Sequence, residues 1–69
     1  MTSDDFGLTR RHVAILQAIA DGQPMQEIAA SLQIKPESVS RAVNRASELL
    51  GARSKSHAVA AALRKGLIE

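Results

Sequence analysis

Residues 35–50, KPESVSRAVNRASELL, constrain this chain more than any other stretch, because punctuation residues fix both ends and one periodicity fills the middle. Pro36 suits the first position of a helix, where a missing N–H costs nothing, and Gly51 suits the left-handed stop after its last turn. Wound at 3.6 residues per turn, Val39, Val43, Ala46 and Leu50 fall on one narrow stripe. Glu37, Ser40, Arg41, Asn44 and Glu48 fall on the opposite side. One face is therefore core. The other carries Ser40, Arg41, Asn44 and Arg45, whose side chains can reach a phosphate or a base edge, and no bulky apolar group. It reads as a candidate recognition helix.

The rest of the chain has to bury that stripe with little material. The 69 residues are enough for one domain with a small core. Hydrophobic residues make up 45% of the chain and aromatic residues 1%, the lone Phe6, so the core is aliphatic and rich in Ala. Small side chains favour closely packed helices. There is no Cys, and His12 and His57 alone cannot complete a zinc shell, so neither a disulfide, a metal nor another cofactor is expected. Net charge is only +2, but residues 35–55 hold five basic residues (Lys35, Arg41, Arg45, Arg53, Lys55) against two acidic ones (Glu37, Glu48), a surplus of three. No apolar run approaches membrane-spanning length, and Asp stands where a signal peptide would carry Lys or Arg. A cytoplasmic location, with no membrane partner, is the expectation.

Taken in order, residues 1–7 lack periodicity and read as a tail, with Phe6 available to fold back as an aromatic plug; residues 8–69 read as the domain. Thr9 is a candidate N-cap for a helix over about 10–21, whose buried stripe is Val13, Leu16, Ile19 and Ala20, with Gly22 as its stop. Arg10, Arg11 and His12 occupy its first turn, where the helix dipole disfavours positive charge. Pro24 opens a second helix over 25–32 with Ile28, Ala29 and Leu32 inward, and Gln33 and Ile34 make the turn into 36–50. Lys35 is left as the N-cap of that third helix, without the side-chain oxygen a cap needs. A fourth helix over 55–65 follows, capped by Ser54 or Ser56. Its stripe is Ala58, Val59, Ala62 and Leu63, and Gly66 ends it so that Leu67 and Ile68 return to the core. No period-two alternation is sustained, so the fold class is all-α, four helices.

A short helix, a tight turn and a longer helix with a polar outer face make a helix-turn-helix. Over residues 8–68 the chain also resembles the LuxR/GerE-type DNA-binding domain of bacterial transcription regulators. The resemblance is carried by Leu8-Thr9, Arg11, Ile15-Leu16, Ile19-Ala20 and Gly22, by Glu27-Ile28-Ala29, Leu32 and Ile34, by Ser38-Val39 and Leu50-Gly51, and by Ala58-Val59 and Gly66-Leu67-Ile68. It implies a third helix that enters the major groove of double-stranded DNA, a fourth that mediates weak homodimerisation, and a pseudo-palindromic operator. Carried over by position, Ser40, Arg41 and Asn44 would read bases, with Arg41 a guanine reader. Arg11, Lys35, Ser38, Arg45 and Lys55 would hold the DNA backbone, and Val59 and Leu63 would form the dimer interface.

The chain departs from the family at polar positions. His12 replaces a usual Glu, Lys35 a usual Ser cap, Ser40 and Ala42 a usual Lys and His, Arg45 a frequent Asn and Leu49 a frequent Lys. Scaffold positions are kept and contact positions rewritten. The reading is a small, nucleoid-associated transcription regulator with no room in these 69 residues for a receiver or ligand-binding domain, so RNA polymerase or a longer regulator are its conceivable protein partners. The rival is a protein-interaction module or antagonist that keeps the fold and pairs with a longer regulator without touching DNA, as the low net charge and the lost Lys positions would suit. An enzyme is not expected, since no paired carboxylates and no Ser/His/acid set are present.

Overall fold

In the computed structural model, which describes residues 6–69, the chain forms α1 (Arg10–Ala20), α2 (Met25–Leu32), α3 (Pro36–Leu50) and α4 (Lys55–Arg64), with no strand among the described residues. The expected helices are all present; α1 and α4 each stop one residue early, because Asp21 and Lys65 serve as C-caps. The expected tail lies mostly outside the described residues. Phe6 does not plug the core: it is 46% exposed, and the Lys65 ammonium sits 4.6 Å from its ring centroid. A surface cation–π contact is what this aromatic makes.

The helix ends follow the local chemistry. Thr9 caps α1, its Oγ1 accepting from the His12 N–H at 3.1 Å while its own N–H donates to His12 Nδ1 at 3.0 Å, a reciprocal capping box. At α4 the cap is Ser54: its Oγ accepts from the His57 N–H, and His57 Nδ1 accepts from the Arg53 N–H at 3.1 Å. Each imidazole thus stands where a capping box ordinarily has Glu or Gln. Between α2 and α3, Gln33 takes the left-handed conformation at φ 59, and the Ile34 N–H closes onto the Ala29 carbonyl at 3.0 Å. That closure turns the chain sharply and sets Ile34 against the core. Pro24, expected to open α2, is its N-cap instead.

Packing divides the interior in two. One cluster holds Ile15, Ile28, Ala29, Val39 and Val43, and so fastens α2 to α1 and α3. The other holds Leu8, Leu16, Ala46, Ala58, Ala62 and Ile68, and fastens α4 and the C-terminal return to the same two helices. The α3 stripe therefore serves both clusters, Val39 and Val43 at one end, Ala46 and the half-buried Leu50 at the other. A helix of 15 residues is about 22 Å long.

Three packing expectations are corrected. Ile15, left off the α1 stripe, is buried, because α1 faces two clusters and needs two inner sides. Ala20 ends α1 beside the exposed turn at Asp21 and Gly22, and is exposed with it. Leu63 is 46% exposed, while Ala61 takes the buried place in α4.

Candidate nucleic-acid interface

The orientation of α3 is settled by its valines. Val39 is 0% and Val43 3% exposed, so Arg41, midway between them in sequence, is turned to solvent. Ser40, Asn44 and Arg45 are exposed with it, forming a single polar surface along the helix. Among the described residues Arg41 makes no hydrogen bond or ion pair. Arg45 does: its Nη1 lies 3.2 Å from Glu48 Oε1, with the two side chains 62% and 69% exposed. An exposed pair of this kind holds by at most about 1 kcal/mol.

The other predicted contacts are distributed over the surrounding elements. Lys35 is the exposed N-cap residue of α3 and makes no side-chain cap, so nothing in its side chain occupies the free N–H groups of the first turn. Ser38 is half-buried in that turn, its N–H held by the Lys35 carbonyl at 2.9 Å. Arg11 lies in the first turn of α1 and Lys55 at the first residue of α4; both are exposed and, among the described residues, without an ion-pair partner. Val59 is partly buried against the second cluster, whereas Leu63 is turned outward. Leu49, standing where a Lys was expected, packs on the same cluster as Leu8. It is partly buried there rather than free in solvent.

The structure also brings His12 to this region, a placement that sequence reasoning missed. Burial around the imidazole, and then the positive field of Arg45, hold its pKa below the ordinary 6.5. The start of α1 thus lies within electrostatic reach of α3. The spacing Thr9-x-x-His12, repeated as Ser54-x-x-His57, signals the imidazole's capping role and not its nearness to Arg45. The consequence is a pH effect of definite sign. The capping bond needs an unprotonated Nδ1, so the stability contributed by His12 is complete above the unfolded value of 6.5 and is lost as pH falls through the lower folded value. Thermal melts from about pH 7.5 down to about pH 5 should fall less steeply for His12→Gln, which can rebuild the box without a titrating group. Parallel curves for the two proteins would remove the imidazole from the cap's energetics.

With this geometry in place, the comparisons with known proteins become specific. Residues 7–62 match the model of GerE, described as bacterial regulatory proteins, luxR family. The chain belongs to that family. Its four helices are the LuxR-type helix-turn-helix fold of DNA-binding transcription regulators, with α2 and α3 as the helix-turn-helix pair. Among solved structures, a chain from the crystal structure of the phage VqmA-DPO complex is similar, with a TM-score of 0.83 and 26% identity. The likeness covers 96% of this chain and 30% of that one, so this LuxR-type domain spans less than a third of its structural relative. None of the curated proteins matches it in sequence. No described helix of the domain is long and apolar enough to cross a membrane.

Proposed function

We propose that this LuxR-type domain binds double-stranded DNA sequence-specifically as part of a transcription regulator, with α3 lying in the major groove. The observation that carries the reading is the pair of buried valines behind an exposed Arg41 that has no partner among the described residues. A major groove about 12 Å wide admits one helix, and a guanidinium projecting from its outer face can reach guanine O6 and N7 together. Ser40 and Asn44 stand on the same surface and read neighbouring bases. Arg45 and Lys35 hold phosphates along α3, the Ser38 hydroxyl another, and Arg11 and Lys55 extend that hold from α1 and α4. Residues 8–69 act as one unit in this reading.

Leu63, with half its surface open, and Val59 one turn before it give α4 an apolar contact for a second copy. The contact is small, so the dimer is weak in solution. Two half-sites one DNA turn apart supply the missing avidity and make the operator pseudo-palindromic. The site of action is the nucleoid in the cytoplasm, and RNA polymerase or a longer regulator would meet the surfaces that DNA leaves open.

Selection of bound sequences from random duplexes tests the whole reading. The expected product is a short motif, repeated with inverted symmetry at a spacing of one helical turn. Retention at low salt that falls steeply as salt is added accompanies it. No retention on any duplex at low salt would favour a domain that keeps the fold and pairs only with protein.

A further inference from the structure

The two arginines on the outer face of α3 are not equivalent. Arg41 has no protein partner among the described residues, while Arg45 is already engaged by Glu48, one turn further along the same face. The Glu48 carboxylate occupies one guanidinium nitrogen at 3.2 Å, with an oxygen acceptor of the charge and kind that a phosphodiester would present. We propose that Glu48 is an intramolecular stand-in for a DNA phosphate, holding Arg45 until the backbone of a duplex displaces it, and thereby lowering affinity for DNA of any sequence. The inference rests on the DNA-binding reading above.

The physical basis is competition between like ligands for one cation. The ion pair is exposed and weak enough for a phosphate to replace it, and DNA carries phosphates at a density no side chain matches. Replacement leaves Glu48 unpaired beside the duplex. Any duplex whose backbone reaches Arg45 must first break the pair, so the cost falls on all sequences. A complex seated by Arg41 in the groove brings the backbone close enough to exchange. Glu48 thus acts on affinity without touching a base.

A double-substitution cycle on duplex binding provides the test, with Glu48→Gln and Arg45→Gln separately and together. Glu48→Gln should tighten binding to the selected duplex about three-fold, and to a duplex of arbitrary sequence by no more than that. In the Arg45→Gln background the same change should have a clearly smaller effect, because the pair to be released is absent. An equal gain in both backgrounds would mean that Glu48 merely repels phosphates at a distance, and would overturn the proposal while leaving DNA binding intact. Failure of the unsubstituted domain to bind any duplex at low salt would overturn both. Thermal melting of all four proteins checks that the fold is common to them.

Discussion

Replacing Leu16 with Ala is expected to remove most of the stability of this domain. Leu16 is 0% exposed and sits among Leu8, Ala46, Ala58, Ala62 and Ile68. Truncating a buried Leu costs about 2–5 kcal/mol, and the upper part of that range applies where the surroundings cannot close over the void. Three of the neighbours here are Ala, which hold helix backbones in close approach and have no longer side chain to swing inward. A chain of this length has a total stability of roughly 3–10 kcal/mol at about 0.05–0.15 kcal/mol per residue. Urea unfolding should therefore show a large drop in midpoint or no folded baseline. Leu63→Ala, on the outward side of α4, should leave the midpoint of the monomer almost unchanged. A cost below about 1 kcal/mol at Leu16 would contradict the packing described here.

Arg41→Ala carries the largest expected effect on recognition. A guanidinium bound bidentately to a guanine contributes about 1–3 kcal/mol of discrimination against the wrong base. Losing it should shrink the ratio of affinities for the selected and a scrambled duplex by about 5- to 150-fold. Stability should not suffer, because Arg41 makes no hydrogen bond or ion pair among the described residues. The contrast with Arg45→Ala is diagnostic: a phosphate contact should weaken all sequences alike and flatten the salt dependence by about one unit of slope. If both substitutions lower affinity uniformly and sequence preference persists, Arg41 is not the base reader.

The third helix, α3, has two duties. Its inner stripe joins both halves of the core, so its outer surface is held rigidly by groups that never meet DNA. That rigidity matters because base readout depends on placing a planar guanidinium within hydrogen-bonding distance of two acceptors at once. The His12 cap belongs to the same support, since it fixes the start of α1 near Arg45.

Local chemistry alone determined where the helices begin and end and which side of α3 faces inward. Pro36, Gly22, Gly51 and Gly66 punctuate backbone conformation through sterics that need no partner, and Thr9 caps the chain three residues ahead of it. The valine spacing in α3 is likewise a property of one helix. Contacts between helices decided the rest. Only the assembled structure turns two sides of α1 inward, buries Ala61 while leaving Leu63 open, packs Leu49 against the second cluster and brings His12 into the field of Arg45. Periodicity assigns each helix one buried face, whereas burial depends on how many neighbours surround it and at what angle, and that information exists only once all four helices are packed.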